Sequence, residues 1–177
     1  MNKDKYIIEG KINYIIAKPS NGRTQFLKIL MDEYQEGILV NLKDNNLQDI
    51  NENIEIVNDT KDLTEMDFKN HKVIFLNNAT ILGHYNENPR RVYLILKEIN
   101  RKYKKTIICV ESYITFLDNK NEMLRSSDNI LQLNRNYFYT KNEEDRLKIN
   151  IEKHSDMSNY DKYTEDVIQF DDEEENE

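Results

Sequence analysis

The chain has 177 residues, 38% of them hydrophobic, which is enough for one domain with a single core and too little for several. Its apolar runs are short and broken, so no membrane span is expected, and the start MNKDKYIIEG lacks a secretory h-region. The formal charge of -8 is a property of the C-terminus: residues 155–177 hold ten acids against Lys162, leaving the first 154 residues near neutrality.

In chain order, Ile12 to Ala17 (INYIIA) is a β-branched and aromatic run followed by the turn-prone Lys18-Pro19-Ser20-Asn21-Gly22, so it reads as a strand and a loop. Phe26, Leu27, Leu30, Met31 and Tyr34 then recur at helical spacing, which predicts an amphipathic helix over 23–34. Gly37 is expected to break that helix, and Ile38 to Leu42 suits a buried parallel strand. Ile54 to Val57 and Val73 to Leu76 read as two more strands. A turn is expected at Gly83, and Val92, Ile95, Leu96, Ile99 and Tyr103 mark a second helix leading to a strand at Ile107 to Val110. Asn129 to Leu133 and Leu147 to Ile151 look like an antiparallel closing edge. Alternating strands and helices imply a doubly wound α/β sheet in one domain, 1–156, while the acidic segment 157–177 is expected to be disordered. That tail, with Phe170 as an apolar anchor, suits either solubility or competition for a basic surface.

The loop 17–24 sits between a strand and a helix start, where backbone N–H groups and the positive helix end meet phosphates. Against GxxxxGK[ST] it has Ala17 for the first glycine, Gly22 in place, Arg23 for lysine, and Thr24 in place as the hydroxyl that would meet magnesium. The candidate nucleotide-binding residues are therefore Pro19, Ser20, Asn21, Gly22, Arg23 and Thr24.

The text around this loop, GKINYIIAKPSNGRTQF, resembles the phosphate loop of DnaB-type bacterial replicative helicases, in which a strand runs into ARPSMGKT. Four later segments resemble that family in order: Ile54 to Thr64 (IEIVNDTKDLT), Val73 to Leu82 (VIFLNNATIL), Asp128 to Tyr139 (DNILQLNRNYFY) and Ile149 to Asp156 (INIEKHSD). The resemblance implies a RecA-like P-loop NTPase fold, mostly parallel, with helices on both faces and an antiparallel C-terminal edge. It also implies ATP or ADP with magnesium as the ligand class.

The departures fall where that family does chemistry. Lys43 stands where the resemblance places the carboxylate that orients water, and a cation cannot serve as that base. Asn77 stands for the aspartate that supports magnesium, which removes negative charge from the metal's surroundings. Ser155 stands for the trans-acting arginine, although Lys153 is retained and the resemblance makes it a further candidate nucleotide-binding residue. Arg23 is larger than the compact lysine ammonium, so nucleotide binding is expected to be weakened or reshaped. The expectation is a catalytically degenerate, ATPase-poor module associated with a replicative helicase ring or another replication protein. The alternatives are an ATP-binding motor subunit of weak activity and a single-stranded-DNA-binding accessory protein.

About nine residues precede the first strand, so autonomous assembly into a ring is not expected, and 111–127 is short for a DNA-tracking loop. Arg90, Arg91, Arg101 and Lys102 are candidate nucleic-acid contacts, though a solvated helix face is the favoured reading. Tyr137, Phe138 and Tyr139 suit hairpin packing at least as well as base stacking. His71, His84 and His154 lack ligand spacing. Cys109 in an apolar strand reads as inert core in a chain without disulfides, and a cytoplasmic location is expected.

Overall fold

The computed structural model describes residues 4, 6–41, 50–58, 63–79, 89–136, 146–154 and 166–169. Eight strands form one sheet: β1 (Ile12–Ala17), β2 (Gly37–Asn41), β3 (Ile54–Asn58), β4 (Val73–Asn77), β5 (Thr106–Ser112), β6 (Asn129–Asn136), β7 (Arg146–His154) and β8 (Asp166–Gln169). The spatial order is β3-β2-β4-β5-β1-β6-β7-β8. The first six are parallel to their neighbours, and β7 and β8 close the far edge antiparallel. Among the described residues four α-helices accompany them: α1 (Arg23–Tyr34), α2 (Pro89–Tyr103), α3 (Tyr113–Asp118) and α4 (Lys120–Ser126). Among the described residues no helix is long and apolar enough to cross a membrane.

The sheet is covered on both faces, which is why its central strands are apolar runs rather than alternating ones. On one face Phe26, Leu27, Leu30, Met31 and Tyr34 of α1 pack on Ile15, Leu39, Phe75 and Val110. On the other, Val92, Leu96 and Ile99 of α2 with Met123 of α4 pack on Tyr14, Ile16, Leu76 and Cys109. Cys109 is fully buried, and burial pushes its thiol well above the usual range, consistent with an inert core position.

Gly37 is not the residue that ends α1. The helix ends at Gln35, whose φ of 58° is left-handed and whose N–H donates to the Met31 carbonyl at 2.9 Å. Gly37 opens β2 instead, where a Cβ would lie 2.6 Å from Val73 Cγ1 and 2.9 Å from the Val73 carbonyl oxygen. Glycine is required there by the close approach of β2 to β4.

The stretch 113–126, read from sequence as a shortened loop, is two short helices. Ser112 caps α3, its hydroxyl accepting from Thr115 N–H at 3.1 Å, and α3 and α4 together carry the chain across β1 to β6. β8 lies within the acidic segment: at 166–169 a strand paired to β7 stands where composition implies disorder. The β-branched pair Val167-Ile168 and the backbone groups of β7's outer edge account for it. Lys43, Gly83, His84, the aromatic run 137–139, Ser155 and Phe170 lie outside the described residues.

Candidate functional site

The connection leaving β1 runs along one face through α1, whereas the connection leaving β5 crosses the opposite face through α3 and α4. A crevice therefore opens outside the C-terminal ends of β1 and β5, where ligands of open α/β sheets bind. The loop 18–22 lies at this point. Its length is set by a turn, Asn21 N–H donating to the Lys18 carbonyl at 3.2 Å, and the Asn21 side chain ties it to the Leu133 carbonyl of β6 at 3.4 Å.

Ser20 (φ 64°) and Gly22 (φ 73°) are both left-handed, on either side of Asn21. Such alternation turns successive N–H groups into a concavity suited to an anion. Gly22 caps α1 without a side-chain hydrogen bond, and no acidic residue occupies the first turn. The N–H groups of Arg23, Thr24 and Gln25 have no acceptor within the helix. Thr24 is exposed at the helix start, and Arg23 is half-buried. Lys18 places its Nζ 5.4 Å from the Tyr113 ring centroid at the start of α3, which keeps a second cation beside the loop.

Beyond Arg23 lies a row of amides at the strand ends. Arg23 Nη1 donates to Asn78 Oδ1 at 3.4 Å, Asn78 Nδ2 to Asn77 Oδ1 at 3.3 Å, Asn77 Nδ2 to Asn41 Oδ1 at 3.0 Å, and Asn41 Nδ2 to Asn58 Oδ1 at 3.2 Å. The four bonds run head to tail: Asn78, Asn77 and Asn41 each accept through oxygen and donate through nitrogen, and Asn58 accepts at the end. Asn41, Asn77 and Asn78 are buried. Asn78 turns the chain after β4 with a φ of 61°, which asparagine tolerates, and its N–H extends the ladder to the Val110 carbonyl at 2.9 Å.

This row bears directly on magnesium. That ion takes hard oxygen donors, usually a carboxylate among them. Asn77 brings no charge, and its oxygen and nitrogen are both engaged in the row. Glu111, the one buried carboxylate among the described residues, alternates with Ile107 and Cys109 and so faces α2, across the sheet from Asn77. Its charge is felt by Tyr14 and Tyr93 on that face. Among the described residues no group of three or more His, Cys, Asp or Glu could hold a metal. The described residues thus fit a phosphate anion, and for magnesium they offer the Thr24 hydroxyl without a supporting carboxylate.

The other candidates are dispersed. Lys153 is on β7, opposite Ile130, two strands from the loop strand. Arg91, Arg101 and Lys102 are exposed on α2. Because α2 runs back toward the start of β5, Arg101 and Lys102 stand at the sheet edge opposite the loop, roughly 15 Å along the helix from Arg91. Lys102 lies over the Tyr103 ring at 4.7 Å. The basic run does not converge on the loop. His71 pairs with Glu55 at 3.4 Å, far from any ligand cluster.

The sequence pattern did not single out Asn41, Asn58 or Asn78. The available signal is that β2, β3 and β4 each end an apolar run on asparagine, β4 on two.

Architecture and loop placement together define a RecA-like α/β fold, mostly parallel with helices on both faces. The chain is similar to the flagellar accessory protein FlaH from Methanocaldococcus jannaschii, with a TM-score of 0.71 at 15% identity over 96% of this chain and 91% of that one. It is also similar to a KaiC-like protein from Pyrococcus horikoshii, with a TM-score of 0.60 at 17% identity over 88% of this chain and 86% of that one. No protein-family model and no curated protein matches the sequence.

Proposed function

We propose that this chain is a catalytically degenerate RecA-like module that holds the phosphates of an adenine nucleotide on the loop 18–24 without hydrolysing it at a motor's rate. The observation that carries this reading is the amide row, which sets neutral groups behind Arg23, with Asn77 where the resemblance places the negative charge that supports magnesium. The loop's conformation supports binding; the row opposes turnover. Losing a charge-stabilising group typically costs about 10² to 10³ in rate.

As its cellular role we favour an accessory module that docks on a replicative helicase ring or another replication protein in the cytoplasm. Five helicase-like segments in order support this. The second reading, a weak ATP-driven motor subunit, draws on the retained Gly22 and Thr24. The single-stranded-DNA reading draws on α2, whose cations are split between opposite edges of the sheet, and is less favoured.

Phosphate release measured with ATP and magnesium, with and without single-stranded DNA, tests the catalytic claim. Release at the no-protein level is expected, whereas release within about a hundredfold of a helicase motor's would overturn it. Size-exclusion chromatography of an equimolar mixture with a purified DnaB-type ring tests the partner: co-migration is expected, and separate elution removes that partner from the reading.

A further inference from the structure

We propose that the loop site takes the di- or triphosphate of a nucleotide free of divalent metal, with Arg23 supplying the positive charge that a magnesium ion would otherwise bring. This rests on the nucleotide-site reading above and names the form of its ligand.

In phosphate-loop sites magnesium takes phosphate oxygens, the loop's Ser or Thr hydroxyl and a supporting carboxylate, and of the two protein groups only the hydroxyl, Thr24, is kept here, so the charged one is lost. At the end of β4 the protein offers Asn77, whose amide oxygen already accepts from Asn78 and whose nitrogen already donates to Asn41. That oxygen keeps a second lone pair, but a neutral amide brings no negative charge to hold a dication there. The charge balance points the same way. The site-facing ionic groups described are cationic, Arg23 in the first turn of α1 and Lys18 over Tyr113. Adding a divalent cation would place like charge against like. A polyphosphate carrying its full negative charge is the complementary ligand, and the planar guanidinium can meet two phosphate oxygens at once.

Arg23 is also held in place. Its guanidinium donates to the first member of the amide row, and the row's direction leaves an acceptor oxygen, not a donor, facing the cation. Disrupting the row should therefore release Arg23 as well as change the local charge. ADP, which holds magnesium less tightly than ATP, is the nucleotide whose metal-free form is more abundant.

Calorimetric titration of the full chain with ADP and with inorganic pyrophosphate, each in excess EDTA and in excess magnesium, tests the proposal. The expected result is saturable binding in EDTA that magnesium tightens by no more than about threefold. Arg23→Gln should weaken binding in EDTA by at least about tenfold, since a charge-assisted contact is lost. Asn77→Asp should make binding magnesium-dependent. If circular dichroism shows that variant unfolded, Arg23→Gln alone carries the decision, because Arg23 is half-buried at the helix start and outside the apolar core. Tightening by magnesium beyond threefold in the native chain, or an unchanged affinity in Arg23→Gln, overturns the inference while leaving nucleotide binding intact. No binding in either buffer overturns the nucleotide-site reading itself and this inference with it.

Discussion

The two edges of the parallel sheet use the same residue, asparagine, to opposite ends. At the N-terminal edge, Asn13 Nδ2 donates to the Ile8 and Lys11 carbonyls at 3.0 and 3.1 Å, and its Oδ1 accepts from Ile8 N–H at 2.9 Å and from Asn129 at 3.0 Å. Asn129 also donates to the Tyr6 carbonyl at 2.6 Å, and Asn100 donates to the carbonyls of Gly10 and Lys105, both at 2.8 Å. Nearby, Glu9 accepts from Thr106 at 2.7 Å and from Tyr34 at 2.9 Å. Most of these bonds end on backbone groups and fasten the segment before β1 under the sheet. At the C-terminal edge the bonds run from side chain to side chain, at 3.0 to 3.4 Å, and end on a cation at the mouth of a loop. Asparagines that satisfy the backbone act as a lock. A row of amides that lines up behind Arg23 instead sets the electrostatics of a site. The difference lies in what terminates the row.

The comparison can be broken at either edge. Asn13→Leu should be the most damaging single change, because it strands the part-buried N–H and carbonyl of Ile8 and removes the buried bonds to Asn129 and the Ile107 carbonyl; about 3 kcal/mol of stability should go, read as a lower urea midpoint with nucleotide affinity unchanged in the folded fraction. Gly37→Ala should cost about 2 kcal/mol by the same measurement, since its Cβ meets Val73 backbone that cannot swing aside. If Gly37→Ala were neutral, the close approach of β2 to β4 would be looser than described.

Alkaline pH sharpens the contrast from a third direction. Burial holds the hydroxyls of Tyr14, Tyr34 and Tyr93 well above the ordinary tyrosine range, with the bonded Glu9 adding to the effect at Tyr34. In the unfolded chain these groups ionise near pH 10, so above that pH the unfolded state binds fewer protons than the folded one. Their contribution is fully present below pH 10 and is lost as pH rises beyond it. Thermal melts should thus show no tyrosine-linked change from pH 7 to 9 and a steep fall above 10, with tyrosinate absorbance appearing as the fold is lost. The smallest effect belongs to Arg23→Gln, which should move stability by no more than about 1 kcal/mol, as expected for a half-buried residue that loses one hydrogen bond.

Much of the fold was legible because buried parallel strands and an amphipathic helix leave strong periodic marks. Residues 12–17 and 23–34 carry apolar patterns that match β1 and α1 end to end. The stretch Tyr113-Ile-Thr-Phe-Leu-Asp was not legible as a helix, since its β-branched and aromatic residues favour strands and only the Ser112 cap turns it. Gly37 misled because glycine serves both helix ends and close backbone contacts, and only the Val73 distance separates the two. At the candidate site, Gly22, Arg23 and Thr24 were picked out by motif spacing and Asn77 by the helicase resemblance. Asn41, Asn58 and Asn78 were not, because a polar residue after an apolar run also marks an ordinary strand end. Their partnership exists only once the order β3-β2-β4 brings three strand ends side by side.

The most direct test of the central claim is to mix the purified chain with radiolabelled ATP and magnesium at protein concentrations above the dissociation constant and to analyse the bound nucleotide over several hours. Bound nucleotide recovered as intact ATP is the predicted result, a site that grips phosphate without cleaving it. Conversion of the bound pool to ADP within seconds would contradict the account, since neutral amides behind Arg23 would then be supporting the chemistry of a working motor.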